Sequence, residues 1–319
     1  MTALQIAVIG AGPAGLACAR RLADAGVPPV VFEKSRGLGG RCATRLSREG
    51  HQFDHGATYV TARGDAFAAY LRAAIRDGRA EKWEPRMAGG SALSDAFVGT
   101  PAMSALVAPL AAGLDVRLQT EVQPIVRDGT TWRLRDADDQ DLGGFDLVVC
   151  TAPPAQAMAL VAADPISETI AADVMSPCWT LLAALPAAET PFDACRDDAG
   201  DIVWLARDGS KPGREGAVDR WGVHASPGWS AEALELDKDA ARDALLPLAL
   251  GAIGRASEAP VYATAHRWRY ALATRAAATP VGESADSSLF LAGDWRLGRR
   301  VEDAFDSGRA AADAVLAVV

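Results

Sequence analysis

Ile6-Ala7-Val8-Ile9-Gly10-Ala11-Gly12-Pro13-Ala14-Gly15-Leu16 carries the strongest structural signal in the chain. Four consecutive apolar residues predict a strand buried on both faces, as in a parallel sheet. The next six fit G-x-G-x-x-G, after which Leu16, Ala19, Leu22 and Ala23 share one face of a helix that stops at Gly26. Gly10 permits a tight turn, Gly12 lets the backbone approach a pyrophosphate, and Gly15 lets the helix pack closely on the strand. Phosphates are favoured at that helix N-terminus, at Pro13 and Ala14, because unpaired N–H groups and the helix dipole attract anions. Val30-Val31-Phe32 predicts the next strand, and Glu33 ends it, 18 residues beyond Gly15. An acid there is placed to accept hydrogen bonds from ribose hydroxyls. Strand, turn, helix, strand and acid together read as a dinucleotide-binding βαβ unit. A glycine turn without function leaves Glu33 unexplained.

Outward from this unit, the 319 residues are half hydrophobic, enough for more than one domain of ordinary size. The net charge of −9 argues against nucleic acid or an anionic membrane as partner. Cys18, Cys42, Cys150, Cys178 and Cys195 are scattered and form no C-x-x-C pair, so they read as buried thiols, with no metal site expected. A first strand starting near Gln5 leaves no room for a cleavable leader, and no apolar run approaches the roughly 18 residues of a membrane span. The expectation is a cytoplasmic protein.

Further along, Phe67, Tyr70, Leu71 and Ile75 predict a helix, and Thr100-Pro101 predicts the start of another, running to about Ala112. Short strands are expected at 116–118, 122–126 and 131–134, and buried ones at 146–150 and 288–292, with a final helix over 301–318. Residues 155–280 carry Trp179, Trp204, Trp221, Trp229 and Trp268 in alternating segments, as expected of an antiparallel sheet with helices.

A second glycine-rich loop, Arg36-Gly37-Leu38-Gly39-Gly40-Arg41, follows directly on Glu33. With Asp54-His55-Gly56-Ala57-Thr58-Tyr59 and Leu291-Ala292-Gly293-Asp294, it resembles the flavin amine oxidase superfamily, in the family's order along the chain. The resemblance implies non-covalently bound FAD. It also implies an amine oxidase or p-hydroxybenzoate hydroxylase-like architecture, α/β in class. A Rossmann-type FAD-binding domain would be discontinuous over 1–75, 100–155 and 285–319. An antiparallel-sheet α+β substrate domain would cover 76–99 and 156–284. In that likeness Lys34, Arg36 and Gly40 join the cofactor loop, and Arg41 approaches the pyrophosphate, where a guanidinium suits the charge. Gly56, Ala57 and Thr58 let backbone lie against the isoalloxazine ring, and Tyr59 faces the substrate. The backbone of Val122 reads adenine, and Asp294 takes a ribityl hydroxyl. Arg300, Val301 and Ala304 open a helix aimed at the flavin pyrimidine, where reduction places negative charge. Asp303 departs from the family, which usually has glycine there, at a cost in close packing.

A narrower resemblance, to renalase-like oxidases, rests on the length, on 33–41, on His266-Arg267-Trp268-Arg269-Tyr270-Ala271 and on Gly293-Asp294-Trp295. It implies oxidation of isomeric dihydronicotinamide dinucleotides, with molecular oxygen as acceptor. Such a substrate already carries a transferable hydride, so it needs stacking and positioning more than a base. Tyr59, His266, Trp268 and Tyr270 are the candidate catalytic residues. Strand alternation places His266, Trp268 and Tyr270 on one face, with Arg267 or Arg269 expected near the entrance for phosphates. The competing reading of the same residues is a core strand with solvated arginines. Amine oxidation is the main rival activity. Its relatives use a lysine beside the flavin, and Lys34, Lys82, Lys211 and Lys238 all fall outside 255–280. A non-catalytic FAD-binding protein is the third reading. His51, His55 and His224 carry no assigned role and are expected to be structural or at the surface.

Overall fold

The computed structural model describes residues 4–90, 92–214, 216–277 and 279–319. Residues 1–3, 91, 215 and 278, which the expected domain bounds include, lie outside the described residues. The chain forms two compact units. One comprises the chain through Gly40, Val107–Met175 and Ala273–Val319, and the other Arg41–Leu106 and Ser176–Leu272.

The first unit is an α/β layer. Its six-stranded sheet runs, by position, Gly282–Glu283, Leu289–Leu291, Leu147–Cys150, Ile6–Ile9, Val30–Phe32 and Asp115–Arg117. The last five pair in parallel, and Gly282–Glu283 closes one edge antiparallel. Each of the three central strands is a run of buried apolar residues, because both faces of the parallel sheet are covered, one of them largely by Trp132, Leu134 and Phe145, which pack with Ala7, Ile9, Val148 and Cys150. Two helices pack on each other against it, Pro13–Asp24 and Val301–Leu316. Their approach depends on Gly308: a Cβ there would lie 2.0 Å from the Ala14 carbonyl oxygen. A three-stranded antiparallel sheet, Val126–Asp128, Thr131–Arg135 and Asp141–Phe145, completes the unit. Of the strand expected at 122–126, only a single bridge from Val122 to Asp136 and the start of Val126–Asp128 form. Pro124 has no N–H to give a ladder there.

The second unit is built on a five-stranded sheet in the order Ala194–Arg196, Ile202–Arg207, Val218–Ala225, Met175–Pro186 and Tyr262–Ala273. Its two faces differ. One carries Trp179, Leu181, Leu185, Leu205, Trp221, Val223 and Ala265, packed against Ala241, Leu245, Ala249 and Ile253 of the helix Lys238–Ile253. The other is crossed by the segment from Phe53 to Tyr59: Phe53 packs on Leu182 and Ala184, and a Cβ on Gly222 would meet the Asp54 carbonyl at 3.4 Å.

Two expectations need correction. Residues 41–75 and 100–106 belong with the second unit, and 156–175 and 273–284 with the first, so the expected domain bounds of 1–75, 100–155 and 285–319 shift. The physical reason is packing: the 53–59 segment lies on the antiparallel sheet. The helix expected from Pro101 is instead two short 3-10 turns, Met103–Leu106 and Ala108–Ala111. Asp54 accepts the Met103 N–H at 3.1 Å, and Pro109 interrupts the run.

Candidate active site

In the first unit the βαβ turn has the shape of a dinucleotide cradle. Gly10 adopts φ +105°, and a Cβ on Gly15 would sit 1.9 Å from the Gly10 carbonyl oxygen, so only glycine permits this strand–helix contact. Gly12 is the N-cap of the helix and offers no side-chain cap. A Cβ on Gly12 would meet nothing within 4 Å, so open space lies before the first-turn amides, including Ala14 and Gly15 beyond Pro13. The second loop closes over this turn: Gly39 N–H donates to the Ala11 carbonyl at 2.8 Å, and a Cβ on Gly40 would touch the Gly12 Cα at 3.4 Å.

Glu33 is buried and held. Its Oε2 accepts from Ala11 N–H at 2.8 Å and its Oε1 from Ser35 N–H at 2.7 Å. Each oxygen keeps a second lone pair for a ribose hydroxyl. Lys34 and Arg36 are exposed beside it. Thr120 N–H donates to the Glu33 carbonyl, which brings the segment leading to Val122 alongside the acid. At the sheet's other strand ends, Gly293 takes φ +150° and directs Asp294, 4% exposed, into the turn at 294–296. The helix that follows begins at Arg300 and Val301, with Ala304 buried on its first turn. Asp303 does not disrupt this start. Its Oδ2 accepts the N–H groups of Arg299 and Arg300 at 2.9 and 2.8 Å, so it caps the helix that a glycine would leave uncapped. Glycine space, amides facing it and a held acid at the next strand end are the donor set a dinucleotide such as FAD requires.

In the second unit, the sheet face crossed by the Phe53–Tyr59 segment gathers aromatic rings and histidines. Trp268 donates its Nε1–H to the His55 carbonyl at 2.8 Å. The His55, His266 and Trp268 rings are mutually packed, with centroids 4.4–4.9 Å apart. Burial above all holds both imidazoles neutral, helped by the charge of Arg45: His55 falls to about 3 and His266 to about 4. His55 is further opposed by His266 itself and is bonded to the Ala43 carbonyl, so its buried Nδ1 is left without a partner among the described residues. His224 is bonded to the Gly56 backbone, and burial with the nearby Lys211 charge lowers it to about 4. Tyr59 packs beside Trp204 and Trp83 and accepts a hydrogen bond from Arg196 Nη2 at 3.0 Å. Tyr270 is half-buried on the same strand as His266 and Trp268. Gly56 lies against Arg41, where a Cβ would meet the carbonyl oxygen at 2.0 Å. Ala57 N–H donates to that same carbonyl, Thr58 is buried, and Arg41 Nη1 donates to the Ala271 carbonyl at 2.8 Å.

Beneath this segment lies a charge cluster that the sequence reading missed. Lys211, 1% exposed, bonds Asp54 Oδ2 at 2.9 Å and Asp208 Oδ1 at 2.6 Å, and Arg214 reaches Asp54 Oδ2 at 3.0 Å. Burial pushes Asp54 up, but Lys211 and Arg214 outweigh it and hold the carboxyl below its usual range. For Asp208 burial prevails and the shift is upward. Asp208 Oδ2 accepts the Asp54 N–H at 3.0 Å, so the cluster anchors the backbone that leads into His55 and Gly56.

His55 and His224 are structural, as expected of them, and both are tied to the 54–59 segment. One expectation changes. Arg267 and Arg269 do not serve an entrance, because both pair with Glu235, and Arg267 also donates to the Leu234 carbonyl and lies over Trp179. Odd-numbered positions of that strand face the helical side. The even-numbered alternation that brings His266 and Trp268 together was legible; the partnership with His55, more than 200 residues away, was not. Among the described residues no cluster of metal-ligating side chains occurs, and no helix is long and apolar enough to cross a membrane.

Comparison with known proteins gives three findings. The family model described as flavin containing amine oxidoreductase matches residues 79–316, and a NAD(P)-binding Rossmann-like domain matches 8–74. Among curated proteins, 57 residues are 47% identical to 4,4'-diapophytoene desaturase of Staphylococcus aureus strain COL. A further 56-residue match is 52% identical to the zeta-carotene-forming phytoene desaturase of Myxococcus xanthus. Each stretch is 18% of this chain and only 11% of the relative. Similar solved structures include a protein provisionally assigned as a protoporphyrinogen oxidase from Exiguobacterium sp. 255-15, at TM-score 0.78, 12% identity and 100% coverage of both chains. Cyclohexylamine oxidase from Brevibacterium oxydans IH-35A has TM-score 0.72 and 13% identity over 99% of each chain. Putrescine oxidase bound to putrescine has TM-score 0.69 and 12% identity over 98% of this chain and 99% of that one.

Proposed function

The chain belongs to the flavin containing amine oxidoreductase family, whose cofactor is FAD, and we propose that it is a renalase-like oxidase of isomeric dihydronicotinamide dinucleotides. When bound, FAD would supply the two-electron acceptor for the reaction, with oxygen as final acceptor. The first unit would hold it without a covalent bond, through the amides beyond Gly12, the Glu33 carboxylate, Asp294 and the helix start at Arg300, Val301 and Ala304.

The observation that carries the substrate reading is the neutral ring cluster of His55, His266 and Trp268. Imidazoles held at about 3 and 4 are uncharged at neutral pH, so the cluster offers flat surfaces and hydrogen bonds without a fixed charge. A substrate that brings its own hydride needs to be stacked and oriented, and neutral rings do that. Tyr59, beside Trp204 and Trp83, and Tyr270, half-buried on the strand of His266 and Trp268, are the further aromatic candidates.

Amine oxidation, named for two of the structural neighbours, asks for a lysine free to act through water. Lys211 is committed to Asp54 and Asp208, Lys82 pairs with Glu84, and Lys34 and Lys238 are exposed at the surface. One experiment separates the readings: an anaerobic visible spectrum of FAD-loaded protein before and after adding 6-dihydro-NAD, ordinary β-NADH, or putrescine. Loss of the oxidised flavin bands with the isomer alone is the expected result. Bleaching by the amine alone would replace this proposal with the other.

A further inference from the structure

Arg196 ends the edge strand Ala194–Arg196 and pairs across it with Trp204. Its surroundings set it apart from its neighbours. Arg86 and Arg207 both bond Asp193, at 2.9 and 2.8 Å, so their charges are neutralised. Arg196 has no carboxylate within ion-pair distance among the described residues. The adjacent Asp197 accepts the Ala199 N–H in its own turn. Arg196 instead lies over the Trp204 ring at 5.4 Å and gives one Nη2 hydrogen to the Tyr59 hydroxyl at 3.0 Å.

These two contacts position the guanidinium without consuming it. The ring quadrupole attracts a cation held over an indole face, which favours this rotamer. The rest of the five-donor fork is left for a planar acceptor. Tyr59 accepts from Arg196 and so keeps its own O–H to donate. Both tryptophans beside Tyr59 are buried and rigid: Trp83 donates Nε1–H to Ser210 at 3.1 Å with Lys211 over its ring, and Trp204 is 7% exposed. The buried Nε1–H of Trp204 has no acceptor among the described residues. The guanidinium and the phenol are both donors, one of them charged, and no carboxylate pairs with the guanidinium among the described residues. Such a set matches an oxyanion.

We propose that Arg196, seated on Trp204 and bonded to Tyr59, is a substrate-recognition residue that binds an oxyanion, phosphate or carboxylate, of the substrate. The proposal rests on the reading that Tyr59 faces the substrate, and it takes over the role that the sequence placed on Arg267 or Arg269. For a dinucleotide the oxyanion is its pyrophosphate.

The test uses FAD-loaded wild type, Arg196→Gln and Arg196→Lys at fixed ionic strength. Each is titrated with inorganic pyrophosphate, with succinate and with uncharged adenosine, following tryptophan emission and calorimetric heat. The expected result is that one anion binds wild type at least about tenfold more tightly than Arg196→Gln. Arg196→Lys should lie between them, and adenosine should not distinguish the three. A gain for pyrophosphate identifies a phosphate-bearing substrate, and a gain for succinate a carboxylate. Equal anion affinity in wild type and Arg196→Gln overturns the proposal, as does a wild type that binds neither anion. If 6-dihydro-NAD leaves the flavin oxidised while anion binding still requires Arg196, the dihydronicotinamide reading fails and the anion site stands.

Discussion

In the first unit, the groups suited to a cofactor are backbone amides and acids within a few residues of strand ends: Gly12, Ala14, Glu33 and Asp294. In the second, the groups suited to a substrate are side chains drawn from distant segments. His55 meets Trp268 across 213 positions, and Tyr59 meets Arg196 across 137. A turn of local backbone geometry places the first kind of group. Packing of a whole sheet face places the second. The two kinds of site should therefore fail differently when residues are changed.

The largest effect should come from the cluster under the second site. Lys211→Met leaves Asp54 and Asp208 buried with Arg214 as their remaining cation, and removing one partner of a buried pair costs about 3–5 kcal/mol. Urea denaturation of the FAD-free protein measures it. A change below about 1 kcal/mol would mean that the cluster does not hold the 54–59 segment.

Next comes the first site, where stability and binding should separate. Gly12→Ala adds a Cβ that meets nothing within 4 Å, so the FAD-free unfolding midpoint should barely move. FAD affinity should nevertheless fall by about tenfold or more, since backbone approach to the pyrophosphate is lost. Gly15→Ala, with its Cβ 1.9 Å from the Gly10 carbonyl oxygen, should lower both. Equal behaviour of the two variants would break the distinction between a cofactor glycine and a packing glycine.

Trp268→Phe should cost about 1–2 kcal/mol by leaving the His55 carbonyl without its donor. It should also slow flavin reduction while FAD affinity stays at the wild-type value. A fall in FAD affinity matching the fall in rate would assign Trp268 to the cofactor instead.

The smallest effect, taken ring by ring, is a pH dependence. Burial holds His55 at about 3, and His224 and His266 at about 4, against 6.5 for an ordinary histidine. These pKa values are depressed, so the unfolded chain takes up protons that the folded protein refuses. Stability from these rings is full above the unfolded value and declines as pH falls toward the folded ones. The loss between pH 6.5 and 5 should be on the order of 1 kcal/mol for each ring. Denaturation midpoints across that window check it, and His224→Asn should flatten the curve by one ring's share. A midpoint independent of pH in that window would mean that the rings titrate normally.

Much of the first unit was legible in the residues. Buried apolar runs, the glycine spacing and the acid at 33 each act through a few neighbouring positions, so local rules suffice. The alternation that separates His266 and Trp268 from Arg267 and Arg269 was legible for the same reason. The domain bounds were not, because residues 41–75 follow the cofactor loop in sequence but pack on the other sheet. Asp303 shows the limit from another side: its departure from the family pattern read as a cost, and the structure shows a helix cap.

The class of fold and the turn geometry of the glycine loop are written in the chain, since both follow from short-range periodicity and turn chemistry. Packing alone sets which histidines join the ring cluster, that Lys211 is a buried anchor, and that Arg267 and Arg269 pair with Glu235 while Arg196 lies over Trp204. Those outcomes depend on which face of a sheet a distant segment crosses and on which carboxylate lies within reach. No spacing along the chain encodes either.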